Sequence, residues 1–167
     1  MPLSMYQASI PVLLRGLQNL TTVLKKGEAH PGSADFIDAR LAPDMLTLAG
    51  QVQRVSDTAK GCAGRLAGID APRFADEEKT FADLYARIDK TADFLGHVKR
   101  EQIDGCEDKP IEVKAGPLTL NFTGESYLHT FVIPNFFFHV TTAYDILRHR
   151  GVPLGKRDFM GRLKLKA

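Results

Sequence analysis

A chain of 167 residues with 22 Lys and Arg against 20 Asp and Glu carries a net charge of only +2, which excludes the strongly basic surface of a dedicated nucleic-acid binder. No run reaches the ~18–20 consecutive apolar residues of a membrane helix, and Cys62 and Cys106, distant and outside any CxxC spacing, build neither a disulfide framework nor a zinc site. The expectation is one globular domain over residues 1–167 in a reducing cytoplasm, with no signal peptide and neither nucleic acid nor membrane as partner.

The first helical pattern runs from about Ser4 to Lys26. Ile10, Leu13, Leu17, Leu20 and Leu24 recur every three or four residues as one apolar stripe. Ser4 is placed to cap it, Gly27 to stop it, and Pro11 to kink or tighten it. "HPGSAD" reads as a loop with one helical turn near Phe36 and Ile37. A second helix is expected from Pro43 to Leu66, where Met45, Leu48, Val52, Val55, Ala59, Ala63 and Leu66 form a seam; Ser56 shares that face and Gln51 flanks it. The third helix follows "APRFADEE", with Phe81, Leu84, Ile88, Leu95 and Val98 as its stripe and Ala92 or the methyl of Thr91 between.

Beyond a polar turn, Ile111–Lys114 and Leu118–Phe122 alternate about Gly116-Pro117, the pattern of a small hairpin. "PNFFFHVTTAYDILRHRG" then reads as the fourth helix, with Pro134 in its first turn and Gly151 just past its end. A turn-rich segment and the basic tail Arg162-Leu163-Lys164-Leu165-Lys166 close the chain. Four amphipathic helices in one domain imply an all-α four-helix bundle with a hairpin inserted before the last helix.

Five histidines invite a metal reading, and spacing limits it. His139 and His149 stand ten residues apart, roughly 15 Å along a helix and about 80° around it. They cannot share one ion on a straight helix. His30 sits in a loop, and His97 and His149 near helix ends. His139 has Asn135 four residues before it on the same face, so the pocket candidates are His139, Asn135, Ser56 and Tyr144, with Asn135, Ser56 or a backbone carbonyl as hydrogen-bond partner of the imidazole. Tyr127 is a further hydroxyl near such a pocket, and Cys62 has no identifiable base beside it. Three consecutive phenylalanines, Phe136 to Phe138, point in three directions, so one ring is expected to face a partner helix or a second subunit rather than water.

The segments "DMLTLAGQVQRVSDTAKGCAGRLAG" (44–68), "EEKTFADLYARIDKTADFL" (77–95) and "PNFFFHVTTAYDILRHRGVPLGKRDFMG" (134–161) resemble the DinB/YfiT-like superfamily, in a bacterial branch known as a domain of unknown function. The resemblance implies a DinB-like four-helix bundle. It also implies a place for metal: members that bind one carry a histidine on the second helix and an HxxxH pair on the last. Here the pair's second histidine falls on His139, its first on Asn135, and the second helix has none. The expected protein has no metal or other cofactor, forms a homodimer, and binds a small molecule near His139 or has no catalytic role. The alternatives are a metal- or thiol-dependent transferase using His139 and a purely structural interaction protein.

Overall fold

The structure, a computed structural model, describes residues 3–163 and Leu165; of the basic tail, Lys164 and Lys166 lie outside the described residues. The chain is mostly helical with one small hairpin. Helix α1 spans Met5–Glu28, α2 Leu48–Ala67, α3 Phe81–His97, and the short α4 Arg100–Ile103. Strands β1 (Pro110–Ala115) and β2 (Leu118–Thr123) pair antiparallel with Ile111 opposite Phe122 and Val113 opposite Leu120. A continuous helical path follows: one turn, α5 (Gly124–Ser126), a π-helical stretch over Tyr127–Val132, and α6 (Ile133–His149), with α7 (Lys156–Met160) last.

The boundaries correct several expectations. Ser4 caps α1 as expected, in a reciprocal box with Gln7, and the helix runs unbroken through Pro11. Gly27, expected as its stop, is buried inside it instead. The loop turn lies at Ser33–Asp35 rather than at Phe36. Pro43 does not start α2. The N–H groups of Leu48 and Ala49 are turned to the carbonyls of Ala39 and Ile37 (2.9 and 3.1 Å), leaving Pro43 at the tip of the intervening turn, and Thr47 caps the helix by accepting from Gly50 N. Thr80, not the acidic run before it, caps α3 through a box with Asp83.

The last helix begins earlier than its proline suggests. Pro134 has no N–H, and its ring would strike the carbonyl four residues back. The π-helical turn just before it widens the coil, and Ile133 N–H reaches back five residues to Leu128 O. Gly151 ends the helix as expected. At φ +88° it lets Val152 N–H reach Leu147 O (3.1 Å) while its own N–H reaches Arg148 O (3.1 Å), and Val152 packs buried on Leu147.

Helices α1 and α2 each pack against both α3 and α6. The expected stripes fill the space between them: Ile10, Leu13, Leu17, Leu20 and Leu24 from α1, Val52, Val55 and Ala59 from α2, and Leu84, Ile88 and Leu95 from α3 are all buried. Thr91, not Ala92, completes the α3 stripe, its hydroxyl satisfied by Arg87 O (2.8 Å) and Ser56. Two glycines set how closely α1 approaches α6. A Cβ at Gly16 would lie 2.3 Å from Cε1 of Phe136, and one at Gly27 would lie 2.8 Å from Cδ2 of Leu147. Both pairs advance by eleven residues, so α1 and α6 run parallel. Contacts of Gln51 with His139 and of Thr58 with Asn135 make α2 and α6 antiparallel. Lys109 binds Leu66 O at the end of α2, and Tyr6 N–H binds Asp104 at the end of α4, the short helix that follows α3; α2 and α3 therefore end at the same end of the molecule as the start of α1. Joining α2 to α3 requires a return along their length. Residues 69–80 make it, a stretch that can reach about 40 Å when extended.

Candidate functional site

Between α2 and α6 the buried apolar seam gives way to polar side chains. Gln51 and Thr58, seven residues apart, share one face of α2; Asn135 and His139, four apart, share one face of α6. Antiparallel packing joins them in two cross-helix hydrogen bonds. Asn135 Nδ2 donates to Thr58 Oγ1 (2.8 Å), and His139 Nδ1 donates to Gln51 Oε1 (2.7 Å). Gln51 is buried and its amide is anchored in turn, Nε2 donating to Leu46 O (3.2 Å).

That chain of bonds fixes the chemistry of His139. An amide oxygen can only accept, so Nδ1 carries a proton and Nε2 is the imidazole's free lone pair. The ring is half-buried, and Nε2 is not fully enclosed. Burial first, and then the positive charge of Arg54, pull the His139 pKa below its ordinary value. At neutral pH the side chain is a neutral, oriented acceptor. Beside it the ring of Phe138 stands edge-on at 5.2 Å and is 55% exposed.

The other expected participants lie elsewhere. Ser56 faces α3, where its hydroxyl meets Thr91 Oγ1 at 2.7 Å; it does not reach His139. Tyr144 packs against Phe159 of α7, ring centroids 6.0 Å apart. Tyr127 is buried with its hydroxyl accepting from Arg65 (3.2 Å), and burial pushes its pKa up to about 12. Burial likewise pushes the Cys62 thiol up to about 12, which leaves no thiolate for nucleophilic attack. Of the five histidines, His30 accepts from Gly32 N–H (3.2 Å) and His97 bonds Asp93 O (2.7 Å), while His129 and His149 are exposed. From the sequence Gln51 stands only on the flank of the α2 seam, and Thr58 and the buried Arg87 are not singled out.

A three-histidine metal centre does not fit these residues. The neighbours of His139 are an amide (Gln51) committed to its Nδ1 and, one turn along, the Asn135–Thr58 pair. Amides and hydroxyls are poor donors for the nitrogen- and thiolate-seeking metals. Among the described residues no three His, Cys, Asp or Glu side chains are grouped to hold an ion. Two surface clefts, of about 420 and about 540 Å³, open on the α2–α3 side, and neither is lined by Asn135 or His139.

The depressed pKa of His139 has a measurable sign. Its folded-state pKa lies below the unfolded value of ~6.5, so its contribution to stability is complete above that value and is lost as pH falls through the folded pKa. The Gln51 bond itself survives protonation, because Nδ1 remains a donor; the loss comes from charging a half-buried ring near Arg54. Urea unfolding is expected to show wild-type stability falling from pH 7.5 to 5.5, and His139→Gln flattening that fall. Carboxylates titrate below this window and do not mask it.

A family model described as a domain of unknown function, DUF1993, matches residues 5–160. Among solved structures, the crystal structure of a DinB family member protein from Shewanella denitrificans is similar, with a TM-score of 0.88 and 33% identity over 97% of this chain and 94% of that one. No curated protein matches the chain. No helix among the described residues is long and apolar enough to cross a membrane.

Proposed function

Starting from a chain that belongs to the DUF1993 family and has a DinB-like fold, we propose a metal-free four-helix-bundle protein that binds a small organic molecule at the α2–α6 seam. The bundle reading is supported by the pairwise packing of α1, α2, α3 and α6. The binding reading rests on one observation, the 2.7 Å bond from His139 Nδ1 to Gln51 Oε1. It fixes the ring and its tautomer, burial and Arg54 keep the imidazole neutral, and Nε2 is left as an acceptor where metal-binding relatives would use a nitrogen ligand. With the exposed Phe138 ring beside it, the site suits a small aromatic molecule bearing an O–H or N–H donor, such as a phenol. A panel of phenols and anilines is the test, read by NMR shifts of the His139 ring nitrogens. Expected hits move Nε2 while Nδ1–H persists, and His139→Leu abolishes them; a panel with no member acting at His139 contradicts the reading.

A second reading, a homodimer closing over this face, is favoured by the exposure of Phe138. Of the aromatic run, Phe136 is buried at Gly16 and Phe137 is half-buried, so Phe138 is the ring available to a second copy. In that case light scattering gives a dimer at high micromolar concentration, and a monomer there contradicts it.

A further inference from the structure

The return segment between α2 and α3, residues 69–80, lies on the outer surface of the two helices without regular structure. Apolar burial holds it only weakly: Ile69 is 38% exposed and Phe74 half-buried. Charge does the rest. Lys60 donates to Pro72 O (3.0 Å), Arg54 meets Asp76 at 2.6 Å, and Gln53 donates to Glu78 (2.9 Å). Arg87 Nη1 reaches Ala75 O, Asp76 and Glu78 at 3.0, 2.9 and 2.9 Å. The Phe74 ring lies against both Lys60 and Arg87, 4.9 and 5.7 Å from its centroid.

Without this segment the helices present three cations, Arg54, Lys60 and Arg87, to one helix-borne anion, Asp57, which already bonds all three. The remaining positive charge is answered by carboxylates that the segment itself supplies. The fit is incomplete. The Arg87 side chain is 1% exposed, yet its Nε–H has no acceptor, because the segment's oxygens crowd onto Nη1. A guanidinium pairs best with an oxyanion that takes two N–H groups side by side. Open clefts flank the segment, one lined by Glu78 and Arg87, the other by Asp57 and Lys60, and Arg73 borders both.

We propose that residues 69–80 form a strap acting as an internal ligand: Asp76 and Glu78 occupy an anion-binding trough built by Arg54, Lys60 and Arg87. Displacing the strap opens the trough to a small polyanion carrying carboxylate or phosphate groups. Ligand and strap compete for the same N–H groups, so the ligand binds only the open state and shifts the population toward it.

Trypsin reads the opening, because Arg73 and Lys79 are exposed and both lie on the strap. With cleavage normalised to a peptide substrate, pyrophosphate or citrate is expected to speed cutting at these two bonds at least about threefold over sodium chloride of equal ionic strength. The Asp76→Asn variant cuts faster from the start and responds at lower anion concentration. A response to pyrophosphate alone assigns the trough to phosphate, and one to citrate alone assigns it to carboxylates. Arg54→Gln/Lys60→Gln removes the response, glutamine keeping the length and polarity of both half-buried side chains so that the helices still fold. An anion without effect on wild type and Asp76→Asn overturns the proposal, as does an effect that survives the double substitution.

Discussion

Phe136→Ala is expected to lower the free energy of unfolding by about 3–5 kcal/mol. The ring is fully buried on the α1–α6 contact, edge-on to Phe137 at 5.2 Å, and sits where a side chain on residue 16 would otherwise be. Removing it leaves a void that two parallel helices cannot close without shifting along their whole contact. Gly16→Ala brings a favourable helix-propensity term of about 1 kcal/mol, but its Cβ would stand 2.3 and 2.8 Å from two ring carbons of a residue with no free space. Overpacking of that kind costs about 1–3 kcal/mol, so the single substitution is expected to destabilise. In the Phe136→Ala background the clash is gone and Gly16→Ala should stabilise. Urea denaturation of the four proteins measures this coupling; additive effects would show that the two residues do not set the helix spacing.

Arg87→Met is expected to cost about 3 kcal/mol, the lower part of the range for breaking a buried ion pair. The guanidinium is buried, and its loss strands Glu78, whose side chain is only 10% exposed. Asp57 and Asp76 are better hydrated, which holds the cost down. Burial pushes the Glu78 carboxyl upward, but hydrogen bonds from Arg87 and Gln53 outweigh it and hold the pKa below the ordinary value. The linkage follows from that direction: the stabilisation is complete above pH ~4.3 and is lost as pH falls through the folded pKa. Wild type should therefore lose stability below about pH 4.3, and Arg87→Met should lose less over the same range. Equal acid slopes in the two proteins would refute the assignment.

Periodic features were legible in the residues because they repeat. The stripes of α1, α2 and α3 are buried where spacing places them, apart from Met45 ahead of α2. In the hairpin only Ile111 and Val113 are buried, while Leu118 is exposed and Leu120 and Phe122 are half-buried. The Gly151 stop holds because only a local backbone turn is involved. Features decided by distant contacts were not legible. Thr47 begins α2, in place of Pro43, because the carbonyls of Ile37 and Ala39 take the first amides. Gly27 reads locally as a stop and serves instead as the seat of Leu147, 120 residues away. At the seam, the Asn135–His139 face was visible from its spacing, but its partners were not. Ser56 lies five residues beyond Gln51, about 140° around the helix, so once Gln51 faces α6 Ser56 must face α3. The one available signal was the pair of polar residues Gln51 and Thr58, seven apart and so on one line of the helix. Arg87 sits between Leu84 and Ile88 in the third stripe, where a charged residue reads as a solvated flank until the strap that covers it is seen.

The most direct test of the account is the metal content of tag-free protein together with the protonation state of His139. Elemental analysis should give substoichiometric zinc, nickel and iron before and after incubation with each ion, while nitrogen NMR at pH 7 shows a neutral His139 ring protonated at Nδ1. One equivalent of bound metal per chain, with His139 Nε2 shifted by coordination, would contradict it.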